Sequence, residues 1–223
     1  MKVILFGATG MIGQGVLREC LAALDVEAVL AVGRGPSGVT HPKITDLVVK
    51  DLFDVAPHAA SLTGYDACFF CLGVSSAGMA EAAYRRVTRD LTLAVAGVLV
   101  KLNPGLTFVY VSGAGTDATE RGRSMWARVK GETENALRRA GFAHVYLFRP
   151  GFIQPLYGIR SRTPLYRTVY AVAAPLFPLL NRIFPDQLTT TERLGRAMLA
   201  AVRRPPIEPV VEAKGINALA REG

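Results

Sequence analysis

Short apolar runs alternate with amphipathic stretches over the first 150 residues of the chain. Each run has the length of a strand that is buried on both faces of a sheet. The runs predict six strands, at Val3–Phe6, Glu27–Val32, 45–50, Asp66–Phe70, Leu106–Val111 and Ala143–Phe148. Helical spacing of apolar residues predicts helices between them, at Met11–Leu24, Met79–Lys101 and 123–140. Strands that alternate with helices indicate a parallel sheet of the α/β class.

Three glycines spaced three residues apart follow the first predicted strand. Gly7 suits a tight turn, Gly10 lets main chain approach a phosphate, and Gly13 lets the next helix lie close to the strand. The amino end of that helix adds free N–H groups and a positive dipole end. The pattern predicts a dinucleotide site in a Rossmann-like, doubly wound, mainly parallel sheet, against the alternative of an ordinary glycine-rich turn. The segment predicted to hold the pyrophosphate contains Gly7, Thr9, Gly10, Met11, Ile12 and Gly13.

The end of the second predicted strand carries the signal for cofactor choice. In dinucleotide folds an acidic residue about twenty positions beyond the glycines binds the ribose hydroxyls, whereas an arginine there accommodates a 2′-phosphate. This chain has Arg34 at that position and no acid after the strand. Arg34, helped by the Ser37 hydroxyl, therefore predicts NADP(H) as the cofactor; the alternative for Arg34 is a solvated loop residue.

Later strand ends supply further candidates, because ligands in such folds bind beyond the carboxyl ends of the strands. We expect cofactor contacts from Asp51, Leu52, Cys71, Leu72 and Gly73. Ser112 follows the fifth strand and is placed for chemistry, although a simple turn hydroxyl is the alternative. Cys68 and Cys71 form a C-x-x-C pair, but residues three apart on a strand face opposite ways, which favours a structural role.

The chain resembles an atypical short-chain dehydrogenase/reductase from residue 2 to about residue 200. The motifs that carry the resemblance are Gly7–Gly13, Asp51–Leu52, Cys71–Gly73, Ser112 and Lys130. The resemblance implies that the serine polarises a carbonyl, that a tyrosine four residues before the lysine exchanges a proton, and that the lysine binds the ribose and lowers the tyrosine pKa. It also implies that Pro150, Phe152 and Ile153 run along the nicotinamide ring.

The sequence departs from this family at the tyrosine, which is replaced by Trp126. An indole N–H donates a hydrogen bond but has no pKa suited to proton exchange. We therefore expect Ser112 to orient the substrate, Lys130 to bind the ribose and Trp126 to shape the pocket. The proton source stays open among Ser112, Lys130, Tyr84, Tyr157 and water, and Trp126 as a plain core residue is an alternative.

A chain of 223 residues, half of them hydrophobic, is expected to form one domain over 1–223, with a substrate-covering insertion at 151–190. Residues 164–184 are apolar and interrupted by prolines, which predicts short helices over the substrate, with peripheral membrane contact or a dimer face as alternatives. No transmembrane segment is expected. A capping box at Thr189–Glu192 predicts a helix that ends near Arg203, followed by a short strand at Pro209–Glu212 and a helical turn.

The formal net charge of +8 comes from basic residues spread along the chain. Without a zinc-finger or RNA-recognition motif, a surface that favours small anionic ligands is a simpler interpretation than nucleic-acid binding. The absence of a signal-like amino terminus predicts a cytoplasmic protein, in which the three cysteines stay thiols. The scattered histidines predict no metal site.

Together these features predict an NADP(H)-dependent oxidoreductase that acts on a small hydrophobic carbonyl or quinone-like substrate. The replacement of the tyrosine by Trp126 favours an alternative, a non-catalytic NADPH-binding regulator or redox sensor. An epimerase or dehydratase also normally needs the missing tyrosine and ranks lower. The expected partner is a small molecule, with a homo-oligomer as a further expectation.

Overall fold

A computed structural model describes residues 1–159, 186–204 and 208–222 of the chain. The strands are β1 (Lys2–Phe6), β2 (Ala28–Gly33), β3 (Ile44–Val48), β4 (Ala67–Phe70), β5 (Thr107–Val111), β6 (His144–Arg149), β7 (Phe152–Gln154), β8 (Leu188–Thr190) and β9 (Val210–Glu212). The α-helices are α1 (Met11–Ala22), α2 (Ala59–Leu62), α3 (Glu81–Arg85), α4 (Leu91–Leu102), α5 (Met125–Arg138), α6 (Thr191–Arg203) and α7 (Ala213–Glu222).

Seven of these strands form one parallel sheet in the order β3-β2-β1-β4-β5-β6-β9. The chain starts in the middle at β1, builds outward to β3, and then crosses back to β4 on the other side of β1. That reversal of strand order is the point where doubly wound folds bind their ligands, beyond the carboxyl ends of the strands. The predicted Rossmann-like α/β fold is confirmed.

Helices cover both faces of the sheet, so the central strands β1, β4 and β5 are buried on two sides, whereas the edge strand β3 is largely exposed. Side chains of α1, α6 and α7 share one core with Phe69 and Val109 of the sheet. Side chains of α2, α4 and α5 share the other core with Phe70 and Phe108, whose ring centroids lie 5.8 Å apart. Neighbouring residues of β4 and β5 thus face opposite cores, which is why their sequences are apolar throughout.

The helix predicted at Met79–Lys101 is observed as one uninterrupted helical segment over 81–102. It contains a π-helical turn at Arg86–Asp90 between α3 and α4, and apolar spacing alone does not reveal the extra residue in that turn. The buried Thr88 lies in this turn, and its hydroxyl has no hydrogen-bond partner in the part of the chain that the structure describes.

The carboxyl-terminal helices differ from the sequence expectation in detail. Thr190, not Thr189, caps α6, because its side chain accepts a hydrogen bond from the Arg193 N–H. The final helical turn is a helix of ten residues, α7. Most of the expected insertion at 151–190, including the apolar stretch 164–184, lies outside the described residues. Its described ends form the two-stranded parallel sheet of β7 and β8.

Two glycines inside helices give a matched test of the packing. A methyl group on Gly131 of α5 would lie 1.8 Å from the Asp117 carbonyl oxygen, whereas one on Gly97 of α4 would meet nothing within 4 Å. Gly131→Ala should lower the free energy of unfolding by about 2 kcal/mol or more, because neither backbone can give way cheaply. Gly97→Ala should raise it by about 0.5–1 kcal/mol through helix propensity. Urea unfolding measures both, and equal effects would contradict the contact at Gly131.

Candidate active site

The turn after β1 brings three pieces of backbone into direct contact. Gly7 has a φ of +83°, and a Cβ there would lie 2.9 Å from the carbonyl carbon and oxygen of Cys71. A Cβ on Gly13 would lie 2.0 Å from the Gly7 carbonyl oxygen. The Gly10 N–H donates to that same oxygen over 2.9 Å. Side chains are therefore excluded where the turn, α1 and the end of β4 meet.

The amino end of α1 faces this turn without a side chain to cap it. Gly10 is the capping residue, and the first turn of the helix holds no acid. The first intrahelical N–H bond is the one from Gln14 to the Gly10 carbonyl, over 2.9 Å. The amides of Met11, Ile12 and Gly13 precede that bond, and they carry the partial positive charge of the helix end. This end of the helix suits a phosphate.

A cavity of about 410 Å³ opens beside the glycine turn. It is lined by Gly7, Ala8, Thr9, Ala31, Val32, Gly33, Arg34, Gly35, Pro36, Ser37, Leu52 and Leu72. Backbone rich in glycine and an arginine at the rim fit a dinucleotide, whose phosphates need close main-chain approach and positive charge. Arg34 is exposed, and its guanidinium has no ion pair within the ranges that the structure describes.

The loop that carries Arg34 is held by a carboxylate from the neighbouring strand. The Ser37 N–H donates to Asp46 Oδ1 over 3.0 Å, and the Ser37 hydroxyl donates to Asp46 Oδ2 over 3.1 Å. The hydroxyl expected to help Arg34 is thus already bound. Sequence analysis overlooked Asp46, since its signal lies only in the pairing of β3 with β2.

The other expected cofactor residues differ in their surroundings. Asp51 is exposed and its carboxylate accepts the Phe53 N–H over 2.9 Å. Leu52 is buried at the cavity wall, next to the partly buried Leu72. Cys71 contributes its backbone against Gly7, and Gly73 is exposed beyond the cavity wall. These residues lie along the same edge of the sheet, but only Leu52 and Leu72 line the cavity.

The structure separates the two cysteines of the C-x-x-C pair. Cys68 packs in the core beneath α2, α4 and α5, while Cys71 packs against the opposite core. Within the described residues, no three His, Cys, Asp or Glu side chains are grouped to hold a metal ion.

Ser112 lies at the end of β5 and is almost fully buried. Its Oγ is 2.9 Å from the Thr116 Oγ1, and Thr116 donates its own proton to the Gly113 carbonyl over 2.8 Å. Thr116 therefore accepts a hydrogen bond from the Ser112 hydroxyl. To donate to a substrate carbonyl, Ser112 would have to give up its bond to Thr116, a partner that sequence analysis missed.

Trp126, in the first turn of α5, lies over the loop that follows Ser112. Its ring atoms are 3.8 Å from the position of a Cβ on Gly113 and 3.6 Å from one on Gly115. The loop itself is fixed by Asp117, whose carboxylate accepts bonds from Thr119 and from backbone N–H groups. These bonds, led by the one from the Thr119 side chain, hold the pKa of Asp117 below its usual value.

Lys130 is one turn further along α5, and its side chain points back at β5. Its Nζ is 3.4 Å from the Val111 carbonyl oxygen and 5.3 Å from the centre of the Tyr110 ring. Burial lowers the pKa of Lys130 to about 8, against the opposing attraction of Glu134. The buried Glu134 is itself bound by Arg149, whose Nε donates to it over 3.0 Å. Much of its charge is therefore matched by Arg149.

The residues after β6 expected along the nicotinamide ring differ in their surroundings. Pro150 is buried, Ile153 belongs to the core beneath α1, and Phe152 is 70% exposed. Tyr157 donates to Glu192 and lies 3.6 Å beneath the Arg18 guanidinium, and the bond to Glu192 raises its pKa. Tyr84 is 2% exposed. Tyr157 is therefore exposed but a weaker acid than an ordinary tyrosine, whereas Tyr84 is enclosed in the core.

The comparisons with known proteins agree with this geometry. Residues 7–155 match the family model described as NAD(P)H-binding. The chain belongs to this family. A nicotinamide dinucleotide is thereby confirmed as the cofactor, although its NAD or NADP form is not distinguished. The matched range runs from the glycine turn through Ser112, Trp126 and Lys130.

Solved structures with the same fold extend the likeness to nearly the whole chain. The enzyme WbmF of Bordetella bronchiseptica, in complex with NAD⁺, superposes with a TM-score of 0.66 at 18% identity, covering 99% of this chain and 76% of WbmF. A UDP-N-acetylglucosamine 4-epimerase of Methanobrevibacter ruminantium gives 0.69 at 14% identity, covering 95% of this chain and 75% of the epimerase. The family match and this shared fold confirm the predicted NAD(P)-binding Rossmann fold.

The predicted cytoplasmic location is wrong, because it is contradicted by the curated relatives. The protein fmp52-2 of Aspergillus terreus, named as mitochondrial, is 26% identical over 202 residues, which cover 89% of this chain and 85% of the relative. Other matching fmp52 proteins carry the same designation. Across the described residues, the structure contains no helix with the length and apolar character needed to span a bilayer.

The surroundings of Lys130 predict a titration near neutral pH. The ¹³Cε resonance of Lys130, assigned by its absence from Lys130→Arg, should move with a midpoint near pH 8, because desolvation disfavours the ammonium. A midpoint above pH 10 would contradict the burial of its ammonium. Glu134→Gln should lower the midpoint further, because it removes the attraction of the carboxylate.

Proposed function

We propose that this protein is an NADP(H)-dependent reductase of a small hydrophobic carbonyl or quinone-like compound. The observation that carries the proposal is the exposed Arg34 at the rim of the glycine-lined cavity, which has no ion pair among the described residues. A guanidinium there matches the charge and geometry of a 2′-phosphate. Ser112 follows β5, and the Lys130 ammonium of α5 lies 3.4 Å from the Val111 carbonyl at the end of the same strand, which supports a chemical site at the edge of the sheet that holds the cavity.

The residues that would hold the cofactor fall into groups according to the part of the cofactor that they would bind. Gly7, Gly10 and Gly13 admit the pyrophosphate to the end of α1, and Leu52 and Leu72 supply apolar walls. Bound NADPH supplies a hydride. The chain must supply a hydrogen bond to the substrate oxygen, a proton, and protection from water.

Ser112 is the group we assign to orient the substrate oxygen. Its proton has to turn from Thr116 toward the substrate, and Thr116 then keeps its bond to the Gly113 carbonyl. Trp126 lies over the same loop, where its apolar ring favours a hydrophobic substrate and limits the access of water. We infer that Trp126 shapes the site and moves no proton.

Lys130 is the proton source that the surroundings support best. Its pKa of about 8 leaves an ammonium near neutral pH that gives up its proton readily. Tyr157 is bound to Glu192 with a raised pKa, and Tyr84 is enclosed in the core. As an acid Lys130 acts in its charged form, so turnover should fall as the pH rises through about 8.

A second candidate function is a non-catalytic NADPH-binding regulator. Two observations favour it, namely the indole of Trp126 in the place of the usual acid and the bond of Ser112 to Thr116. Both features are compatible with nucleotide binding, but the Ser112 hydroxyl is already bonded and the usual acid is absent. The reductase and the regulator would both bind NADPH, and only the reductase would turn a substrate over.

Nucleotide binding can be followed through Trp126, the single tryptophan of the chain. NADPH should quench its emission, and Arg34→Ala should weaken NADPH binding about tenfold with little effect on NADH, because only NADPH carries the 2′-phosphate. Arg138→Ala removes an exposed arginine from the last turn of α5 and should change neither affinity. Unchanged emission would contradict the position of Trp126, and calorimetry without binding would contradict the cofactor assignment.

Turnover separates the reductase from the regulator. Purified protein should oxidise NADPH with at least one member of a panel of quinones and aldehydes, with a rate that declines above about pH 8. Trp126→Tyr should increase that rate at alkaline pH, since it restores a tyrosine four residues before Lys130. Tight binding without turnover across the panel, in both proteins, would favour the regulator.

A further inference from the structure

The site contains an acidic group that the end of β2 itself lacks. No acid follows β2 in the sequence, yet the Asp46 carboxylate of β3 reaches the loop after β2. It accepts two bonds from Ser37, one from the N–H at 3.0 Å and one from the hydroxyl at 3.1 Å. Ser37 is also part of the cavity wall, three residues after Arg34.

Strand pairing explains how Asp46 arrives there. β3 runs parallel to β2, with Asp46 opposite Ala31 and Val48 opposite Gly33. The loop leaves Gly33 and folds back beside β3, so Ser37 meets the exposed carboxylate of Asp46. Two bonds to one carboxylate hold the loop, and they leave a full negative charge beside it.

The position of this charge bears on the 2′-phosphate assigned to Arg34. A phosphate oxygen that took the hydrogen bond of the Ser37 hydroxyl from Asp46 would lie no more than about 6 Å from Asp46 Oδ2, the sum of the 3.1 Å contact and one further hydrogen bond, and the carboxylate would lose one of its two bonds. Two anionic groups at that separation repel each other across a surface site. An uncharged 2′-hydroxyl of the ribose is not repelled by Asp46, and it could donate a hydrogen bond to this carboxylate.

We propose that Asp46 is a specificity-determining residue that opposes Arg34 and narrows the preference for NADPH over NADH. Arg34 attracts the 2′-phosphate, while Asp46 repels it and tolerates a free 2′-hydroxyl. The site is thereby suited to both nucleotides. This inference rests on the proposed function, because it places the adenosine ribose between Arg34 and Ser37.

The test compares 2′,5′-ADP with 5′-AMP, which differ by the 2′-phosphate alone, in calorimetric titrations of the full chain. Asp46→Asn should strengthen binding of 2′,5′-ADP about fivefold and leave that of 5′-AMP within about twofold, because it removes the charge and keeps an acceptor for Ser37. Glu208→Gln changes the net charge equally at an exposed position before β9 and should change neither. NADPH and NADH should follow the same two patterns.

The ratio of the two affinities is the decisive quantity, since a partly unfolded variant lowers both alike. Asp46→Ala provides a second neutral variant and should raise the ratio as well, even with a looser loop. An unchanged ratio in both neutral variants, or an equal rise in Glu208→Gln, would overturn the role of Asp46 alone. A wild-type chain that binds neither nucleotide would overturn the proposed function and this inference together.

Discussion

The close approach of three backbones at Gly7 is the constraint on which the site depends. The turn after β1, the first turn of α1 and the end of β4 are packed so tightly that no side chain fits at Gly7 or Gly13. This contact sets the direction of α1 and leaves its uncapped amino end at the carboxyl edge of the sheet. The cavity beside it is a consequence of the same turn, because the glycines leave open space where side chains would stand.

Electrostatics at the site is governed by how each charge is paired. Glu134 and Arg149 satisfy each other in the interior, so Lys130 lies in a partly desolvated place with only part of a carboxylate's attraction. Arg34 lies at the opposite limit, exposed and free of a carboxylate in the described part of the chain. The pKa of Lys130 is therefore lowered, whereas Arg34 stays available to an anionic ligand.

Much of the fold could be predicted because its signals are local. The apolar runs mark strands buried on both faces, and the spacing of Gly7, Gly10 and Gly13 marks a phosphate turn. Irregularity within a helix was harder to predict, as at the π-helical turn of Arg86–Asp90 between α3 and α4. Gly15 and Gly195 also carried no sequence signal, although each lies where α1 and α6 touch.

The sequence by itself determined the fold class, the glycine turn, the arginine after β2 and the tryptophan four residues before Lys130. These features depend on residue type and short spacing, which a linear pattern records. Only the tertiary structure decided which groups meet across elements: Thr116 with Ser112, Arg149 with Glu134, and Asp46 with Ser37. The reason is strand register, since a carboxylate on β3 reaches the loop after β2 only in one parallel alignment.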